Sequence, residues 1–331
     1  MRVVGICDSN KRALDHTANT YGIRNRYTEV NALLQSRDLD MVDITTPGFT
    51  HYELCRMAIE NGLHILVEKP VTLSAQQAEE LNVRSKNSGV KICVMQNYRF
   101  RDALIMFRKL QEEGKIGEIS HMITLHHGGT IFAQPSWIWK EELSGGILYE
   151  NAIHAVDLHA WLLGEHKRII GVRSVYNESL GLTTSIQALV EHRNKTSGFL
   201  DLTWFSTSMF FRSDVLSSIV DVTIKLQPDG IVVQSGELGP LQEALADFRR
   251  VWNFGKTVLT RRFKQESVAP HWRVIAQFLS SIRSESDVPV TIDDVMPTMR
   301  LLDEINQYVK RGAPNEEKPR LPLRKKEKNE L

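Results

Sequence analysis

Over the first 96 residues, short apolar runs alternate with stretches whose apolar positions recur at helical spacing. Residues 2–7 form a β-branched run ending in Asp8, and 11–21 carry a helical pattern closed by Gly22. A short helix is predicted over 28–34, a strand over 41–45, and a helix from His51 to residue 61, ended by Gly62. The next run, 64–67, is continuously apolar and stops at Glu68-Lys69-Pro70. An unbroken apolar run suits a parallel strand buried on both faces, and proline cannot donate the next ladder hydrogen bond. Ser74 with Gln77 makes a capping box for a helix reaching Ser88, Gly89 ends it, and 91–96 is the following strand. Strands alternating with helices require a parallel sheet.

Beyond Gly117 the rhythm changes. Strand-like runs at 119–127, 168–176, 185–192, 198–205 and 220–226 include three in succession without long helices between them, which predicts a second, mainly antiparallel sheet. One amphipathic helix interrupts it at 148–163, and helices return near 241–262, 271–283 and 293–309. The expected architecture is therefore α/β over residues 1–100, then an α+β domain over 101–312. Residues 313–331 are charge-dense and interrupted by proline, the composition of a disordered tail.

Composition narrows the partners. The 331 residues are 42% hydrophobic and 24% charged, and 41 Lys+Arg balance 40 Asp+Glu, so no electrostatic footprint for nucleic acid or an anionic membrane is present. A small polar molecule is the expected partner. Cys7, Cys55 and Cys93 are odd in number, far apart and set in apolar runs, which reads as reduced core thiols and a cytoplasmic location. No apolar run approaches the roughly 18 residues of a membrane span.

Candidate chemistry falls in two stretches. In an open parallel sheet, ligands bind beyond the carboxyl ends of the strands, where Glu68 and Lys69 stand; a surface lysine before a turn is the alternative. Asp8 occupies the equivalent end of the first strand, as a ribose-binding acid or as a helix cap. Arg99 follows the 91–96 strand, placed to reach the same crevice; a solvated surface arginine is the alternative. The second stretch runs from Gly145-Gly146 into the 148–163 helix. Glu150, His154 and Asp157 are spaced i, i+4 and i+7, one helical face on which a carboxylate can orient an imidazole for proton abstraction; a half-exposed ion pair is the alternative. Trp137 and Trp139 precede it, as an apolar platform for a sugar ring or as core. A metal site built from His126, His127, His154, Asp157 and His159 lacks any paired-histidine helix motif, so no metal is expected.

Taken together, Asp8 after a strand, Thr46-Pro47 with His51, Glu68-Lys69-Pro70, Arg99, Ile116-Gly117, and Gly145-Gly146 through His154 and Asp157 resemble the Gfo/Idh/MocA family of oxidoreductases over roughly residues 1–310. The resemblance implies a Rossmann-type domain binding NAD, with NADP possible, and a second domain holding a sugar, inositol or similar polyol. It implies that Thr46, Pro47, His51, Glu68, Lys69 and Asn97 line the cofactor pocket together with Asp8, that Arg99, Trp137 and Trp139 meet the substrate, and that Lys69 contacts the reacting hydroxyl. His154 would be the proton acceptor, oriented by Glu150 or Asp157; Glu150 stands where many members have aspartate. Homo-oligomers are expected by the same likeness. A glycine fingerprint should precede Asp8 by about 20 residues, and no Gly-x-Gly-x-x-Gly occurs in the chain. The first strand of the sheet is thus expected to be missing, the sheet to be split, and Met1 to be an internal residue of a longer protein. A regulatory protein without the phosphate loop, and a glycosidase using bound NAD, are the alternative functions.

Overall fold

A computed structural model describes residues 2–36, 38–128, 138, 140, 144–204, 206, 209–226, 229–234, 263–284 and 286–311, the side chains of 263–267 excepted. The chain forms two compact units, Met1–Arg101 with Thr257–Met299, and Asp102–Lys256 with Arg300–Leu331.

The first unit alternates β1 (Gly5–Cys7), α1 (Lys11–Tyr21), β2 (Asn25–Tyr27), α2 (Val30–Leu34), β3 (Met41–Ile44), α3 (His51–Glu60), β4 (His64–Glu68), α4 (Ala75–Ser88) and β5 (Ile92–Met95). Every strand pair is parallel, as the alternation predicts. The strands make two sheets, β1-β2 and β3-β4-β5, and this is the split that the sequence predicts. The helix signals act as the sequence suggests. Ser74 Oγ accepts from Gln77 N at the start of α4, and Gly89 closes it with φ 70°. Asn10 caps α1 by accepting from Arg12 N and Ala13 N, and Asp8 Oδ1 in turn accepts from Asn10 N at 2.7 Å.

Ile65, Leu66 and Val67 of β4 are all buried, which is why their run shows no alternation. One covering layer comes from far along the chain. Val274 and Phe278 of α7 (Phe263–Ser284) pack in one core with Leu66, Cys93 and Met95. Val94 N of β5 donates to Val290 O at 3.0 Å, just before α8 (Ile292–Arg311). A single division at residue 100 therefore does not describe the molecule, because 263–299 belong with the first unit. Helical periodicity shows which face of α7 is apolar, not which sheet that face meets.

In the second unit, α5 (Asp102–Glu112) leads into β6 (Ile119–His127), then α6 (Ile153–Leu163) and the strands β7 (His166–Asn177), β8 (Leu182–His192), β9 (Ser197–Thr203), β10 (Phe210–Ser217), β11 (Asp221–Leu226) and β12 (Asp229–Gln234). The seven strands lie in the order β12-β11-β10-β6-β9-β8-β7. All neighbours are antiparallel except β6 and β9. α6 packs on β6 and β9.

Under α6 runs a buried polar row. His159 Nε2 meets Thr124 Oγ1 at 2.9 Å, Thr124 Oγ1 meets Ser213 Oγ at 2.8 Å, and His192 Nδ1 donates to Gly164 O at 2.8 Å. The imidazoles crowd Gly198 of β9, where a Cβ would lie 2.6 Å from His159 Nδ1 and 3.1 Å from His192 Nε2, so only glycine fits. Among the described residues no helix is long and apolar enough to cross a membrane. The expected helix at 241–262 and the tail at 313–331 lie outside the described residues.

Candidate functional site

The carboxyl ends of the first unit's parallel strands carry its candidate residues. Beyond β3 the chain turns through Thr46-Pro47 into a single 3₁₀ turn, Gly48–Thr50, and then α3. Thr46 Oγ1 and Thr50 Oγ1 lie 2.6 Å apart, and Thr50 Oγ1 donates to Pro47 O at 2.8 Å. Thr46 itself remains exposed. His51 is fully buried, its Nδ1 2.6 Å from Pro70 O and its Nε2 2.7 Å from Thr46 O. Burial pushes its pKa down, against the pull of the two carbonyls and of Glu68. His51 thus braces the β3 loop against Pro70, behind the surface that Thr46 presents.

β4 delivers Glu68 and Lys69 at that same end, both half-buried, and Glu68 Oε2 accepts from Lys69 N at 3.2 Å. The Lys69-Pro70 peptide is cis. After β5, Asn97 is buried and its Nδ2 lies 2.9 Å from His271 Nε2 of α7. Arg99, expected at the substrate, is also buried, and its Nη2 donates to Asp294 O at 3.1 Å in the first turn of α8. Asp8 stands exposed beyond β1, beside the first turn of α1. The structure therefore groups Thr46, Pro47, His51, Glu68 and Lys69 around the β3 and β4 ends, while Asn97 and Arg99 are engaged with the later helices.

The second unit holds Glu150, His154 and Asp157, and there the helix is not what the sequence predicts. Leu148–Ala152 is a π turn, and the α-helix begins only at Ile153. A π turn bonds i to i+5, so it admits one residue more than an α turn and rotates the chain before it relative to the chain after it. Glu150 lies within this turn and His154 in the α-helix that follows it. Both are half-buried, whereas Asp157 is buried at 1% exposure. Upstream, Gly145 and Gly146 have φ of 72° and 68°, and Ser144 Oγ accepts from Gly146 N at 2.9 Å.

Sequence reasoning missed Tyr149. Its buried phenol donates to Asp303 Oδ1 on α8, a partner 154 residues away that no local pattern announces. His271, the partner of Asn97, escaped for the same reason. Trp137 and Trp139 lie outside the described residues.

The fit to a nicotinamide cofactor is partial. An exposed Asp8 at the end of β1 suits ribose hydroxyls, and Thr46, Glu68 and Lys69 offer polar groups at the ends of β3 and β4 in the other parallel sheet. Among the described residues no glycine-rich strand-to-helix turn offers its amides to a pyrophosphate.

Comparison with known proteins gives two family matches. Residues 1–96 match the model of the GFO_IDH_MocA oxidoreductase family, NAD-binding Rossmann fold, and 105–216 match the GFO/IDH/MocA C-terminal domain. The chain is 29% identical over 180 residues to a levoglucosan dehydrogenase of Pseudarthrobacter phenanthrenivorans, covering 52% of this chain and 45% of that one. It is 30% identical over 164 residues to an inositol 2-dehydrogenase of Rhizobium meliloti, covering 50% and 48%. The matches thus span about half the length of these relatives. Among solved structures, the WlbA dehydrogenase of Bordetella pertussis, in complex with NADH and UDP-GlcNAcA, superposes with a TM-score of 0.77 at 19% identity, over 94% of this chain and 89% of that one.

Proposed function

Because the chain belongs to the Gfo/Idh/MocA family of oxidoreductases, we propose that it interconverts a secondary alcohol of a sugar, inositol or similar polyol and the corresponding ketone, with NAD as cofactor. The observation that carries the reading is Lys69, half-buried at the carboxyl end of β4 beside Glu68 and the Thr46 loop. A bound nicotinamide would supply the hydride acceptor. The Lys69 ammonium is assigned to the alcohol oxygen, where it stabilises the negative charge that develops as the hydroxyl proton leaves. His154 is assigned the uptake of that proton, a task suited to an imidazole near neutral pH. The Glu150 carboxylate is assigned the orientation of that imidazole and the stabilisation of its protonated form. Buried Asp157 is assigned to the support of the helix one turn on.

Asp8 supports NAD over NADP, since its carboxylate repels a 2′-phosphate. For homo-oligomers, the supporting feature is the outer face of the large sheet. There Leu189, Phe199 and Ile123 stand in register across β8, β9 and β6, with Ile123 and Leu189 each 37% exposed. Sedimentation equilibrium of the wild type and of Ile123→Glu tests that assignment.

The activity test is NAD reduction in the presence of myo-inositol, levoglucosan and a panel of pyranoses. Wild-type turnover that Lys69→Met abolishes, while NADH still binds with unchanged affinity, is the expected result. Turnover that survives Lys69→Met would remove Lys69 from the chemistry. No NADH binding and no turnover with any polyol would favour a regulatory protein without the phosphate loop.

A further inference from the structure

The π turn at Leu148–Ala152 is backed by a buried hydrogen-bond group that nothing in the reaction itself requires. Tyr149, at 1% exposure, sits inside the turn. Its phenol donates to Asp303 Oδ1 and bonds the side chain of Asn306, two α8 residues three apart and so on one face of that helix. Burial and the Asp303 carboxylate both push the phenol's pKa up, so it stays a hydrogen-bond donor throughout the working pH range.

The other side of the ring is equally confined. Gly145 has φ of 72°, and a Cβ there would lie 2.7 Å from Tyr149 Cδ2, so the ring fills the space that any other residue at 145 would need. A π turn is rare and persists where its surroundings over-determine it. Here the surroundings are the glycine on one side and the Asp303–Asn306 pair on the other.

We infer that Tyr149 is a positioning residue, which, held by Asp303 and Asn306, keeps the Leu148–Ala152 turn wide and so sets the direction of Glu150 relative to His154. The phenol is buried and does not touch substrate; it acts through the backbone. If the turn narrowed to an α turn, one residue of register would shift and Glu150 would rotate about the helix axis away from its present direction. This inference rests on the assignment of His154 as proton acceptor for its consequence in catalysis, but not for its structural content.

The test therefore has two arms, both on the full chain. Crystal structures of Tyr149→Phe and Asp303→Asn form the first. Tyr149→Phe loses the anchor, and the turn is expected to narrow with Glu150 displaced; Asp303→Asn keeps an oxygen acceptor, and the turn is expected to stay wide. An unchanged π turn in Tyr149→Phe would overturn the proposal whatever the kinetics. The second arm measures NAD reduction with myo-inositol as the probe. Misplacement of a catalytic group by about 1 Å costs on the order of a hundredfold in rate. Tyr149→Phe and Asp303→Ala should accordingly lower kcat by about ten- to a hundredfold with KM little changed, and Asp303→Asn should recover part of that loss. A loss that appears in KM alone, or one equal in Asp303→Asn and Asp303→Ala, would reduce Tyr149 to a core residue and overturn the positioning role. His154→Asn is measured alongside. Full activity in that variant refutes the proton-acceptor assignment, and the structural arm still decides whether Tyr149 holds the turn.

Discussion

Acidification should weaken the second unit through His159. The ring is completely buried, its Nε2 bonded to Thr124, and the centroid of the His192 ring lies 6.2 Å from its own. Burial, and secondarily His192, push the pKa of His159 down to about 3. In the unfolded chain a histidine titrates near 6.5. The folded form thus holds the ring neutral over a range in which the unfolded form takes up a proton. The stability this provides is complete above about pH 6.5 and is lost as pH falls toward about 3. Each pH unit in that window removes about 1.4 kcal/mol per proton of difference, so the fall from 6.5 to 5 costs about 2 kcal/mol. Out of a total stability of roughly 5–15 kcal/mol, that is readily measured. Burial depresses His192 as well, in the same direction. The assay is urea unfolding at pH 7.5 and pH 5.0 for the wild type and for His159→Gln, whose amide reaches the Thr124 hydroxyl but does not titrate. Carboxylates contribute equally to both proteins, so the difference isolates the imidazole. The wild type should lose about 2 kcal/mol more than the variant between the two pH values. Equal losses would mean that His159 is protonated in the fold or solvated, and would refute the reasoning.

Other perturbations separate structural from chemical roles. Arg99→Ala removes a charge-assisted hydrogen bond to Asp294 O and should destabilise the first unit by about 1.5–3 kcal/mol in chemical denaturation. If Arg99 instead served the substrate, KM would rise and stability would hold. Gly145→Ala forces a side chain into a left-handed backbone already filled by the Tyr149 ring, and should cost about 2 kcal/mol or more by the same measurement. Asp8→Ala removes the charge that repels a 2′-phosphate, so the ratio of NADP to NAD affinity, read by NADPH and NADH fluorescence titrations, should rise; an unchanged ratio would detach Asp8 from the adenosine ribose.

Local rules made much of the first unit legible. The uninterrupted run at 64–67, the Ser74 cap on Gln77 N and the closing Gly22 and Gly89 each depend on residues within one turn or strand, and each appears in the structure where the sequence puts it. Long-range choices were not legible. α7 announces an apolar face, but its place against Leu66 and Cys93 depends on residues roughly 180 to 210 positions away. β10 and β12 escaped because their residues mix polar and apolar character, and α5 because nothing marked its start before the change of rhythm. At the candidate site, the residue types of Glu150 and His154 were readable, yet their geometry was not. A π turn uses the same residues as an α turn and is chosen by Tyr149 and its distant partner Asp303.

The position of β6 in its sheet has a consequence for biosynthesis. β6 is flanked by β9 on one edge and β10 on the other, so neither neighbour in space is its neighbour in sequence. From His127 to Ser197, the start of its parallel partner, the ribosome must add about 70 residues, and at about 5–20 residues per second this takes several seconds. Throughout that interval the nascent strand carries two edges of unpaired amides and carbonyls. Its emergence is the moment at which a holding chaperone, or a pause in translation, would most affect the yield of folded protein.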